Sequence, residues 1–201
     1  MTSQQQPFER IFIPLDTPDL ERALEIASSL KGLVGGVKIG KEFFTALGPE
    51  GVARVTELGM PLFADLKFHD IPNTVAGAVR SAVHLKPSIL NINAQGGRAM
   101  MIAACEAAAE EAAKIGVAVP LILGVTVLTS LDDQDLNDIG VSDNTLDHVK
   151  RLAALAQECG LDGVVCSAAE IEALRKICGA EFKLLTPGIR PSWAAAGDQK
   201  R

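Results

Sequence analysis

The residue types best suited to chemistry in this chain fall in one short segment, Phe63-Ala-Asp65-Leu-Lys67-Phe-His-Asp70. Asp65 and Lys67 are two residues apart, so on an extended strand they share a face. Asp70 follows where Ile71-Pro72 ends the extended run and a helix begins. Burying charges costs several kcal/mol per ion unless they are paired. The group is therefore either an ion pair that pins a loop or a working site. Lys38, at the end of a neighbouring strand candidate, adds a second cation. Two cations and two carboxylates then alternate in one place. Negative neighbours favour the ammonium form of a lysine. Such a lysine is a proton donor to developing carbanion charge, with the acids excluding or straining a substrate anion.

The elements that must position these residues alternate along the whole chain. Short apolar runs at 11–15, 36–39, 62–66, 89–92, 121–125, 163–166 and 182–185 read as strands. Stretches of helical period at 19–30, 50–58, 74–83, 99–115, 145–158 and 169–177 lie between them. Near-continuous apolar strands imply a parallel sheet covered by helices. No shift in composition marks a boundary, so residues 1–201 read as a single domain. Polar groups stand at the carboxyl end of nearly every strand: Asp16, Lys38, Asp65 with Lys67, Asn93, Thr126 with Thr129, Ser167, and the run 186–190. In a barrel these ends converge on one mouth, whereas in an open sheet only those beside the switch point meet. The pattern therefore favours an α/β TIM (β/α)8-type barrel, with seven of the eight βα units present.

Composition narrows the partners. The chain has 201 residues, 48% apolar and 4% aromatic, and a net charge of −6. No Lys/Arg run suggests nucleic acid, although a local basic site for a small anion is compatible with an acidic protein. Residues 1–9 are polar, without a secretory pattern, and the apolar stretch 117–128 is broken by Pro120 and Gly124 and too short to span a bilayer. Four cysteines without a C-x-x-C pair read as reduced thiols of a cytoplasmic protein. Gly35-Gly-Val-Lys-Ile-Gly40-Lys41-Glu42 fails as a phosphate loop, because Glu42 stands where a hydroxyl must hold Mg²⁺. Residues 133–138 fail as a calcium loop and read as an acidic surface turn. His84 and His148 lie on helix candidates, as solvated or hydrogen-bonded side chains, and Lys41 and Lys183 read as surface charges.

The ten residues Asp65-Leu-Lys67-Phe-His-Asp70-Ile-Pro-Asn-Thr74 resemble the signature of the orotidine 5′-monophosphate decarboxylase family. Leu15-Asp16, Val37-Lys38-Ile-Gly40, Val125-Thr-Val-Leu-Thr129-Ser130, Val165-Cys-Ser167-Ala, Thr186-Pro-Gly-Ile-Arg190-Pro and Gly197-Asp-Gln199 agree in family order. The resemblance implies loss of CO2 from the pyrimidine ring to give UMP, without metal or organic cofactor. It implies that Lys67 protonates ring carbon C6 and that Asp65 sits beside the substrate carboxylate. Asp70 and Thr74 reach the partner's site in a homodimer. Asp16 and Lys38 bind ribose hydroxyls, Ser167 reads the pyrimidine amide edge, and Thr129, Arg190 and Gln199 complete the nucleotide site, Gln199 near the phosphate. Plainer roles stand beside these. Asp16 could cap the first helix, Thr129 and Ser167 could be turn or cap hydroxyls, and Arg190 and Gln199 lie in a Pro/Gly-rich segment.

Two alternatives keep the same residues. A related barrel group shares Asp-x-Lys-x-x-Asp but acts on sugar phosphates with Mg²⁺; the His-Asp-Ile-Pro-Asn-Thr continuation favours the decarboxylase. A chain that dimerises near Asp70 without catalysis is the other. Asn93 and Gln95 depart from the family's usual His and Ser. The family also continues beyond Arg201 with an eighth strand bearing a Gly-Arg phosphate clamp, so the 201-residue chain is expected to be inactive or severely impaired. A decarboxylation assay with and without an appended eighth strand checks this; full activity without the strand would contradict it.

Overall fold

The computed structural model describes residues 6–189, 193 and 200; Arg190 and Gln199 lie outside the described residues. The strands are β1 (Phe12–Pro14), β2 (Gly36–Ile39), β3 (Leu62–Phe68), β4 (Ile89–Asn93), β5 (Leu121–Val125), β6 (Gly163–Val165) and β7 (Lys183–Leu185). The helices are α1 (Leu20–Leu30), α2 (Lys41–Thr56), α3 (Pro72–Val83), α4 (Gly97–Ile115), α5 (Asp133–Asp138), α6 (Thr145–Glu158) and α7 (Ile171–Cys178). The sheet order follows the chain, β1-β2-β3-β4-β5-β6-β7. No helix among the described residues is long and apolar enough to cross a membrane.

The described residues form two compact units. The first comprises the chain up to Lys67 with 76–91 and 107–120. In it β1 pairs with β2 in parallel, Pro14 opposite Lys38, and β2 with β3, Lys38 opposite Phe63. Leu15, Val37, Ile39, Phe43, Val52, Val55 and Leu62 are buried in its core. The strands are apolar on both faces, as expected for strands covered by helices. The second unit comprises 68–75, 92–106 and the chain from 121. There β5, β6 and β7 pair in parallel, with Val125 opposite Val165 and Val165 opposite Leu185. Gly163 is required at its place in β6, since a Cβ there would lie 2.1 Å from the Lys183 carbonyl oxygen.

Three local departures from the sequence reading have clear causes. Helix α2 begins at Lys41, not near residue 50, and bends at Gly48, whose φ of 58° and ψ of −164° are non-helical. Gly48-Pro49 separates two helical stretches, with proline suited to the first turn of the second. The stretch 133–138, read as a surface turn, is a short helix, because Asp132 and Asp135 form a capping box. His148 is neither solvated nor hydrogen-bonded. Both ring nitrogens are buried without a hydrogen-bond partner among the described residues, and Nδ1 lies 3.8 Å from Asp143. His84 meets the expectation, with Nε2 3.1 Å from Glu111.

Phe43 is the largest side chain fully enclosed in the first unit. Phe43→Ala is expected to cost ~3–5 kcal/mol of unfolding free energy, through lost apolar burial and the cavity left behind. Urea unfolding at equilibrium measures it.

Candidate active site

Four charged side chains of the first unit form an alternating line. Lys38 Nζ lies 3.3 Å from Asp16 Oδ1 and 3.2 Å from Asp65 Oδ2. Lys67 Nζ donates to Asp65 Oδ1 at 2.5 Å. The sequence of charges is thus minus, plus, minus, plus, with Asp16 rather than Asp70 as its second carboxylate. Strand register puts Lys38 and Asp65 together, because Lys38 is opposite Phe63 and Ile39 opposite Ala64. Asp65 is the innermost member, with 12% of its side chain exposed, against 22% for Lys38, 27% for Lys67 and 53% for Asp16. Both lysine side chains are therefore partly exposed, while the carboxylate between them is nearly withdrawn from water. A pair that served only to pin a loop would not need reachable cations on both sides.

Asp16 does not cap the first helix. Asp19 does, accepting from the Arg22 backbone N–H at 3.1 Å, which leaves Asp16 facing Lys38. Lys67 has a φ of 53°, a left-handed conformation that costs a non-glycine residue roughly 1–2 kcal/mol. Such strain persists only where surroundings hold it, and it concentrates at functional sites. Asn91, fully buried on β4, is the residue that sequence reasoning passed over. Its Nδ2 donates to Asp65 Oδ1 at 2.6 Å and its Oδ1 accepts from the Lys67 backbone N–H at 2.8 Å. The available signal was a lone asparagine in the otherwise apolar middle of a strand.

Of the other residues singled out in the sequence, Asp70, Thr74, Thr129 and Ser167 belong to the second unit. Asp70 and Thr74 are exposed at the start of α3, and Asp70 Oδ1 accepts from the Ile71 N–H at 2.7 Å. Thr129 is buried after β5, and its carbonyl accepts from the Lys200 N–H at 2.9 Å. Ser167 is buried after β6 and caps the following 3-10 turn, its hydroxyl accepting from the Ala169 N–H at 3.4 Å. Asn93 likewise caps a turn, accepting from the Gln95 N–H at 3.2 Å. Burial pushes the Cys166 thiol up to about 12 and the Cys105 thiol up to about 11, so neither is a nucleophile at neutral pH.

Residues 9–201 match the model of the orotidine 5′-phosphate decarboxylase / HUMPS family. The chain belongs to this family. It is 54% identical over 191 residues to the orotidine 5′-phosphate decarboxylase of Paramagnetospirillum magneticum, covering 95% of this chain and 81% of that protein. The enzyme of the same name from Rhodospirillum rubrum is 53% identical over 202 residues, covering 100% of this chain and 82% of that one. The crystal structure of orotidine 5′-phosphate decarboxylase from Lactobacillus acidophilus superposes with a TM-score of 0.84 at 35% identity, covering 90% of this chain and 81% of that one. The seven consecutive parallel strands with the helices between them are accordingly those of the TIM-type fold of this family.

In the second unit, Lys200 Nζ donates to Asp132 Oδ2 at 2.8 Å and Asp135 Oδ2 at 2.7 Å. The Lys200 ammonium, with the Asp135 and Gln134 backbone N–H groups, holds the Asp132 carboxyl down to about 2. Because the folded value lies below the ordinary 3.8, this contact stabilises the fold above that pH. Its contribution is lost as pH falls toward about 2. In Lys200→Met the Asp132 carboxyl is expected to titrate higher than in the unmodified chain, as read by carbon-detected NMR titration of the carboxyl resonances.

Proposed function

We propose that the line Asp16–Lys38–Asp65–Lys67 carries the decarboxylation of orotidine 5′-monophosphate in this chain. The enzyme activity itself is that of its family: the carboxylate on ring carbon C6 leaves as CO2 and UMP remains. The observation that carries the assignment is the withdrawn Asp65 carboxylate between two reachable ammonium groups. A substrate carboxylate placed beside Asp65 meets like charge in a site poor in water. When the C6–carboxylate bond breaks, its electron pair stays on C6 and the repulsion is relieved. The Lys67 ammonium then faces a carbanion, donates its proton to C6, and recovers one from solvent. Fixed charges aimed at where charge develops are a large source of rate enhancement.

The other residues take supporting roles in this proposal. Asp16 and Lys38 bind ribose hydroxyls, and Lys38 also braces the Asp65 carboxylate. Ser167 reads the amide edge of the pyrimidine, and Thr129, Arg190 and Gln199 complete the nucleotide site. Asp70 and Thr74 serve the site of a second copy in a homodimer. All three of Asp70, Ile71 and Thr74 are exposed at the start of α3, which leaves them open to such a second copy. The substrate is a small anionic nucleotide. The residues present ask for no metal or organic cofactor in this scheme, since the proton and the charges come from side chains. The chain acts as one βα domain in the cytoplasm, a setting that suits its four free thiols.

In the chain completed with an eighth strand, Lys67→Ala is expected to lower decarboxylation about 10²–10⁴-fold or more, the range for loss of a positioned proton donor. UMP binding should remain measurable by calorimetry. Unchanged turnover in that variant would sink the assignment of Lys67.

A further inference from the structure

We infer that Asn91 is a positioning residue for the decarboxylation, holding the Asp65 carboxylate and the Lys67 backbone in their working geometry. The inference rests on the functional reading above and goes beyond it, since Asn91 has no exposed surface and touches the reaction only through its neighbours. A carboxylate accepts and a backbone N–H donates, so the group between them must offer one donor and one acceptor. A primary amide does so in a single orientation. Nδ2 must face Asp65, at 2.6 Å, and Oδ1 must face the Lys67 N–H, at 2.8 Å. The first bond sets the plane of the carboxylate. The Asp65 Oδ1 then takes Lys67 Nζ as well, while its Oδ2 takes Lys38. The second bond holds the Lys67 backbone at its φ of 53°, while its Nζ reaches Asp65 on the same face of β3. One buried amide thus ties together the proton donor and the carboxylate that opposes the leaving group.

Substitution separates this role from one of mere packing. Asn91→Leu keeps the volume and removes both hydrogen bonds. A loss of kcat of about 10²-fold is expected, typical of a displaced reacting group, with Kd for UMP changed little and cooperative thermal unfolding retained. Asn91→Asp is the sharper test. It places a second carboxyl against Asp65, so one of the two must hold a proton, and its titration is raised. The titratable groups facing the position are Asp65 and Lys67 on β3, with Lys38 of β2 on the far oxygen of Asp65. While protonated, the introduced carboxyl donates to Asp65 and accepts from the Lys67 N–H, as the amide does. As pH rises and that proton leaves, the donor is lost. The kcat of Asn91→Asp should therefore be highest at low pH and fall through a titration that the unmodified chain lacks. Unchanged kcat in Asn91→Leu, or a pH profile in Asn91→Asp parallel to that of the unmodified chain, would overturn the inference. Loss of UMP binding together with kcat would also overturn it, by showing a structural role. The variants are made in the chain completed with the appended eighth strand; failure of that completed chain, without substitution, to decarboxylate orotidine 5′-monophosphate overturns the functional reading instead, and it is assayed first for that reason.

Discussion

A carboxylate withdrawn from water is tolerable only where cations and N–H donors replace its hydration. Asp65 is such a carboxylate, and much of the first unit is arranged around it. Lys67 and Asn91 meet one of its oxygens and Lys38 the other. Each partner comes from a different strand or a different turn of the backbone, so the arrangement depends on β2, β3 and β4 being in register. The apolar residues of these strands supply the packing that holds them there. Val37 and Ile39 flank Lys38 in β2, and both are buried. The charges thus stand on an apolar base that fixes where their side chains begin.

Lys67 meets that carboxylate from a strained conformation. The two residues share a face of β3, which sets the ammonium beside Asp65. Near the end of the strand Lys67 takes a left-handed φ of 53°, and the bond from its N–H to Asn91 holds it there. Strain and hydrogen bonding are therefore two sides of one device. In the second unit the polar residues after the strands are held differently, by local capping. Ser167, Asn93 and Asp132 each satisfy backbone N–H groups of the turn that follows them. A hydroxyl or carboxylate that caps its own turn is fixed in place before any ligand arrives. Capping and ligand binding are compatible at Ser167 because its oxygen has two lone pairs.

How much was legible beforehand differs by kind of feature. The strands β2 and β5 and the helix α6 were readable to the residue, since each has a strong apolar period and clear flanking signals. The bend in α2 was not, because Gly48-Pro49 reads equally as a loop and as a break between two helical stretches. The α5 helix was hidden by its composition: four acidic residues within 132–138 suggest a solvated turn until the reciprocal cap is seen. His148 was read as ordinary, and only packing shows that its ring nitrogens have no hydrogen-bond partner among the described residues.

The sequence by itself determined the types and order of the clustered charges, the parallel βα pattern and the family, because these rest on period, spacing and motif. Asp65, Lys67 and Lys38 were recognisable because charges at strand ends are costly and so conspicuous. What only the tertiary structure decided is which groups meet. Asn91 lies 26 residues from Asp65 and 24 from Lys67. Nothing local signals that its amide bonds to both. Their meeting depends on strand register, where a slip of one residue would turn the side chain to the opposite face. The conformation of Lys67 and the freeing of Asp16 from a capping role, through Asp19, are likewise consequences of packing rather than of composition.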